Sequence, residues 1–269
     1  MTNDAPKSND PAPEETVVLA GSEAHSERAE ALARQLGLRL VSDAQEAGSA
    51  GLTLICGDDG LSLTGGGQTL RDDFTHMLPR LRPGNLQGEL IVRAARIKSE
   101  GGRALSVVDA TAGFGEDSLL LAAAGHSVRL FEYNPLIAAL LTDAVRRALE
   151  IPGLRDAASR MEVAECDSTS ALPGLTPPPD VVVLDPMFPA RAKSSLNKKK
   201  FQLLHLLELP CADEDALLRA AIGASPRRIV IKRPLKGAYL AGAKPAYSLT
   251  GKTIRYDCLT FPGTQTNLL

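Results

Sequence analysis

Residues 180–189 read DVVVLDPMFP: an apolar run delivers a carboxylate, Asp185, into a turn where Pro186 and Pro189 bracket Met187 and Phe188. These residue types suit chemistry on the amino group of a planar base. Such a nitrogen is a poor nucleophile because its lone pair is delocalised into the ring. Hydrogen bonds from the NH2 group to the Asp185 carboxylate and the Pro186 carbonyl would localise that pair and aim it, with most of the catalysis being in-line positioning. Phe188 would stack on the base, as on an extruded or single-stranded nucleotide. A Pro-rich turn with a core phenylalanine would look the same in isolation, so the neighbouring segments decide.

The segment VVDATAGFGEDSLLLA, residues 107–122, ends a strand at Asp109 and turns through Gly113 and Gly115. Glu116 and Asp117 then open a helix, and the glycines allow the backbone close to a ligand. The next strand, SVRLFEYN, ends at Glu132, about twenty residues on, where a carboxylate takes the hydroxyls of a ribose. A pyrophosphate would need an uncharged helix N-terminus. Glu116 and Asp117 oppose it and favour a cation, which selects S-adenosylmethionine, with its sulfonium and ammonium, over NAD. A third station is Asp167-Ser168 after MEVAEC, where a polar side chain can reach the adenine amino group; a helix cap would read identically.

The elements that must position these residues follow from periodicity. From about residue 85 onward, helix NLQGELIVRAARIKSEG, strand LSVVDA, helix EDSLLLAAAG, strand SVRLFEY, helix PLIAALLTDAVRRALE, strand MEVAEC and strand DVVVLD alternate, followed by helix DEDALLRAAIGA and strands RRIVIKRP and KTIRYDCLTF. Buried strands alternating with helices predict a mostly parallel, Rossmann-like α/β sheet with helices on both faces. Before it lies a small α/β unit, expected over residues 16–75. It comprises strand TVVLAG, a helix capped by Ser22 and stopped by Gly37, and short strands LRLVS, LTLICGDDG and LSLTGG, with no further strong helix. The expected division is a disordered tail over 1–15, this unit, and the main domain over 76–269.

At 269 residues the chain can bury a substantial core, and its net charge of −2 excludes a protein that coats nucleic acid over its whole surface. Any nucleic-acid contact must be local. Lys193, Lys198, Lys199 and Lys200 follow the Asp185 loop, and Arg227, Arg228, Lys232, Arg233 and Lys236 flank a nearby strand. Charge runs are usually solvated faces. Beside a base-binding loop, phosphate contact is the better reading for the four lysines and Arg233. The four cysteines lack CxxC spacing, so no metal is expected, and their scatter with the absence of a signal-like or membrane-length apolar run points to the cytoplasm.

Asp-Pro-x-Phe resembles the (Asp/Asn)-Pro-Pro-(Tyr/Phe) motif of class I amino methyltransferases, with Met187 replacing the second proline. Together, VVDATAGFGEDSLLLA, LFEYNPLIAALL, VVVLDPMFP and IVIKRP resemble the RsmJ family, over roughly residues 85–257. That family methylates the exocyclic N2 of a guanosine in small-subunit (16S) ribosomal RNA. The resemblance implies cofactor contacts at Glu116, Asp117, Glu132, Tyr133, Asp167, Ser168 and Asp185. Thr111 stands where the general class I turn has its first glycine. Rival readings are an N-methyltransferase for another amino group, a nicotinamide oxidoreductase, which the acids after Gly115 oppose, and a non-catalytic RNA-binding module, which Asp-Pro-Met-Phe opposes.

Overall fold

The computed structural model describes residues 15–97, 103–186 and 213–261. The chain divides into two units between Arg71 and Asp72. The expected boundary at 75/76 would cut the 3-10 turn Phe74–Met77, whose Phe74 and Met77 belong to the core of the larger unit.

The smaller unit is built from β1 (Thr16–Ala20), α1 (Ser26–Leu36), β2 (Arg39–Val41), α2 (Ala44–Gly48), β3 (Leu52–Gly57), β4 (Gly60–Gly65) and β5 (Gln68–Leu70). The sheet order is β2-β1-β3-β4-β5, with β1 parallel to both neighbours and β3, β4 and β5 an antiparallel meander. Gly37 ends α1 in the left-handed conformation, at φ 65°. Ser22 does not cap α1: its hydroxyl bonds the His25 ring, a 3-10 turn intervenes, and α1 starts at Ser26. The short helix α2 escapes a periodicity reading because its identity rests on one cap, Asp43, which accepts from the amides of Gln45 and Glu46.

In the larger unit, α3 (Leu78–Leu81), α4 (Pro83–Leu86) and α5 (Leu90–Ala95) precede β6 (Ser106–Asp109), α6 (Glu116–Ala123), β7 (Ser127–Glu132), α7 (Pro135–Ala148), α8 (Pro152–Ala158), β8 (Met161–Glu165), α9 (Ser168–Ala171) and β9 (Val181–Leu184). Helix α10 (Glu214–Gly223), β10 (Arg228–Pro234), β11 (Tyr247–Thr250) and β12 (Ile254–Thr260) complete it. The order is β11-β12-β10-β9-β6-β7-β8, parallel from β10 to β8, with β12 antiparallel between β10 and β11. Alternation within the strands splits the core in two. Val181 and Val183 pack on one face with Val107, Leu120 and Leu141, while Val182 and Leu184 pack on the other with Val108, Leu217 and Ile231. A sheet covered on both faces explains why β9 is apolar throughout.

The single helix expected over 85–101 is instead α4 and α5. Gly88 and the extended backbone of Glu89 break it, and Arg228 donates to the Ala94 and Arg96 carbonyls at the end of α5. Helix α8 and edge strand β11 have no counterpart in the sequence reading.

The chain runs β6, β7, β8 outward in one direction and returns to place β9 on the other side of β6. This reversal opens a crevice at the carboxyl ends of β6 and β9, where open α/β sheets bind ligands. Two glycines shape its rim, and they differ. Gly113 (φ 54°) faces open space, whereas a Cβ on Gly115 (φ 70°) would lie 2.8 Å from Leu141 Cδ1 and 3.2 Å from Leu130 Cδ2. Gly113→Ala should therefore cost about 1–2 kcal/mol, the left-handed penalty alone. Gly115→Ala should cost about 1–3 kcal/mol more through overpacking. Urea unfolding of the ligand-free protein measures both, and equal losses would contradict this packing.

Candidate functional site

The sheet register carries the chemical residues to one edge. Asp109 ends β6 opposite Leu130 of β7 and Val183 of β9; Glu132 ends β7; Asp185 follows β9. The turn after β6 stays tied to both neighbours, since Ala110 N donates to Val183 O and Ala112 N to Phe131 O.

Glu132 is the organising acid of this turn. Its carboxylate accepts from Gly113 N and Asn134 N, both at 2.8 Å, and so clamps the glycine turn to the start of α7. Burial raises its pKa against those backbone hydrogen bonds. A largely buried carboxylate next to a left-handed glycine that opens on space fits hydroxyl donors of a ribose. Asn134 continues the local logic: its side chain caps α7 and Pro135 occupies the first turn. Tyr133 between them is exposed.

Asp109 is buried, accepts from Ser118 Oγ at 2.6 Å and Thr111 N at 3.3 Å, and has its pKa pushed up to about 7 by burial and by the charges of Asp117 and Asp185. Its carboxylate holds the turn in shape from beneath. The hydroxyl of Thr111, where a glycine is usual, accepts from Asp185 N at 2.6 Å and couples the turn to the second loop.

Glu116 and Asp117 open α6, where negative charge suits the helix N-terminus. They face different surroundings. Glu116 is half-exposed, 3.1 Å from His76 Nε2, with Arg80 at 3.9 Å. Asp117 is mostly buried, accepts from Tyr256 Oη at 2.9 Å and pairs with Lys232 Nζ at 3.0 Å. The same Lys232 Nζ lies 3.0 Å from Asp185 Oδ2. Burial raises the Asp185 pKa, and the Lys232 charge opposes the rise. For Lys232, burial works downward, but Asp117 and Asp185 hold its ammonium above the usual lysine range.

Asp167 and Ser168 sit after β8, on the same edge. Asp167 caps α9, accepting from Thr169 N and Oγ1 and from Ser170 Oγ, which lowers its pKa. Buried Ser168 donates to the Ala110 carbonyl. Both side chains therefore already serve the local fold.

The strand after α10 corrects the expectation that its basic residues meet phosphate. Arg233 is 4% exposed, donates from Nε to Ala238 O and pairs with Glu214, so it holds the loop after β10 and is not offered to RNA. Arg227 is paired with buried Asp180, and Arg228 caps α5. Lys236 is exposed. Pro186 is buried beside Asp185, while Phe188, Lys193, Lys198, Lys199 and Lys200 lie outside the described residues.

The roles of Lys232, Tyr256, Thr111 and His76 escaped sequence reasoning. A signal existed for one of them. In β10, Val230 packs on one face and Ile231 on the other, so alternation alone places Lys232 on the Val230 face and Arg233 on the opposite one. Among the described residues no helix is long and apolar enough to cross a membrane, and no group of three or more metal-ligating side chains forms.

Comparison with known proteins gives consistent matches. Residues 32–260 match the family model described as "Putative SAM-dependent methyltransferase". Ribosomal RNA small subunit methyltransferase J of Thioalkalivibrio sulfidiphilus is 40% identical over 244 residues, 88% of this chain and 94% of the relative. The protein of that name from Neisseria meningitidis serogroup C is 38% identical over 237 residues, 86% of this chain and 92% of the relative. The crystal structure of a SAM-dependent methyltransferase from Neisseria gonorrhoeae superposes with a TM-score of 0.72 at 34% identity, covering 94% of this chain and 98% of that one. With a glycine turn clamped by Glu132, Asp185 at the switch point of the sheet, and this degree of identity along nearly the whole chain, the protein belongs to the SAM-dependent methyltransferase family that includes the ribosomal RNA small subunit methyltransferases J.

Proposed function

We propose that the chain transfers a methyl group from S-adenosylmethionine to the exocyclic N2 of a guanosine in small-subunit (16S) ribosomal RNA, acting in the cytoplasm on the RNA or the small subunit. The observation that supports this reading most directly is the place of Asp185. It directly follows β9 at the sheet's switch point, its amide is held by Thr111 and its carboxylate by Lys232. Relatives 38–40% identical over 86–88% of this chain are named for small-subunit ribosomal RNA.

The cofactor supplies a methyl group made electrophilic by its sulfonium. Glu132 takes the ribose hydroxyls, and the Gly113 turn keeps backbone close to the nucleoside. Asp117 and Glu116 provide the negative field that favours a cationic ligand over a pyrophosphate. Tyr133, Asp167 and Ser168 border the adenosine end, with Asp167 and Ser168 acting through the loop they cap. Asp185 and the Pro186 carbonyl would accept the two hydrogens of the guanine amino group and turn its lone pair toward the transferable methyl, whose sulfur would leave as the neutral thioether while the surplus proton on nitrogen passes to solvent. Phe188 stacks on the base, and Lys193, Lys198, Lys199 and Lys200 hold phosphates.

Two substitutions test these assignments separately. Glu132→Ala should weaken cofactor binding at least tenfold by calorimetry, about 1.4 kcal/mol, and unchanged affinity in the folded variant would remove Glu132 from the site. Asp185→Asn keeps the shape and one acceptor oxygen but loses the charge. It should cut methyl transfer about a hundredfold or more, in line with loss of one preorganised transition-state hydrogen bond, in single-turnover assays with labelled cofactor and small subunits lacking the modification. Wild-type turnover would return the DPMFP turn to a structural role.

A further inference from the structure

Lys232 is the one described cation that contacts both loops of the site. It leaves β10 on the face of Val230 and Tyr256, and the register pairs it with Tyr256 across to β12. Its ammonium sits 3.0 Å from Asp117 at the start of α6 and 3.0 Å from Asp185 after β9. Its side chain is 27% exposed, that of Asp117 15% and that of Asp185 41%. Asp117 is fixed from a second side by the Tyr256 hydroxyl. Lys232 thus joins the helix that opens the cofactor turn to the carboxylate expected to hold the substrate amine.

We propose that Lys232 is a positioning residue for methyl transfer: by pairing with Asp117 and Asp185 at once it keeps the Asp185 carboxylate ionised and turned so that Oδ2 is committed to the ammonium and Oδ1 faces the substrate amino group. Among the described residues, Oδ1 has no hydrogen-bond donor. The inference rests on the reading of Asp185 given above. Its physical core is that Asp185 stands beside a second carboxylate, Asp117, with the same ammonium 3.0 Å from both. Burial and Asp117 both favour the protonated acid, and a protonated Asp185 loses an acceptor. The other cations whose charge reaches this cluster are Arg233, from the opposite face of the sheet, and Arg80; Arg233 is committed to Glu214 and Ala238, and Arg80 to Glu89 and Glu116. Tyr256, from β12, is a donor to Asp117 whose own ionisation is pushed up by burial and by that acid, so it remains neutral. Lys232 is left as the counter-charge.

The sign follows. Asp185 works as an acceptor when ionised, so the rate rises with pH through its pKa. Removing Lys232 moves that acidic limb to higher pH, by about 1–3 units, the shift an opposite charge at contact distance gives. Lys232→Met should then be most defective at low pH and recover as pH rises, in single-turnover rates measured at saturating cofactor and RNA. Lys232→Arg, which keeps the charge, should restore the limb to near its wild-type place. Lys232→Gln supplies the same comparison if the Met variant does not fold, folding being checked by thermal melting. An unmoved limb in the charge-removing variants would overturn the proposal, and so would a pH-independent loss that Arg does not rescue, since that marks a purely structural residue. Asp185→Asn run alongside separates the two readings. Normal turnover in that variant sinks the role of Asp185 itself, whereas an inactive Asp185→Asn beside a Lys232→Met profile identical to wild type sinks the role of Lys232 alone.

Discussion

The constraint on which the site depends is the repulsion among acids gathered at one sheet edge. Asp109, Glu132 and Asp185 reach that edge because parallel strands all point their carboxyl ends the same way, Asp117 follows on the first turn of α6, and the charges of Asp109, Asp117 and Asp185 act on one another. Each acid is accommodated differently. Glu132 spends its charge on two backbone amides, Asp117 and Asp185 share the Lys232 ammonium, and Asp109 is pushed toward neutrality by burial, against the hydrogen bond it accepts from the Ser118 hydroxyl. The result is an acid cluster in which each carboxylate has a hydrogen-bond or ion-pair partner.

The remaining ion pairs do different work. Buried Arg233 with Glu214, buried Arg255 with Asp257, and exposed Arg103 with buried Asp180 are paired where loops meet the sheet, and each arginine also donates to backbone carbonyls of a loop or strand end. Breaking such a pair leaves an uncompensated buried charge, so these residues are better understood as fastenings of the loops than as contacts for a nucleic acid. The chain's slight net negative charge is consistent with that use. Its arginines are numerous, but those around β10 are turned inward.

The two acids that open α6 show how one sequence feature divides in three dimensions. Side by side in the chain, Glu116 and Asp117 are a hundred degrees apart around a helix. One meets His76 and Arg80 in a half-exposed position, and the other turns to Tyr256 and Lys232. Only the second is linked, through Lys232, to Asp185 in the loop after β9.

Much of the architecture was legible in the sequence because its cause is local. Apolar runs such as VVVL can be buried on both faces only in a covered parallel sheet, Gly113 and Gly115 declare a left-handed turn, and Asn134-Pro135 announces a helix start. The acids at strand ends were legible for the same reason, since a strand's end in the chain is its end in the sheet. The edge strand β11 and the cap role of Arg228 were not, because the first needs β12 to complete its hydrogen bonds and the second reaches carbonyls more than a hundred residues away. The destinations of the basic side chains were least legible. Sequence set the charge of Lys232 and Arg233 and, by alternation, their opposite faces; only the packing of β10 between β9 and β12 decided that one would balance the acids of the site and the other would be buried against Glu214, because the partners are brought there by strands distant in the chain.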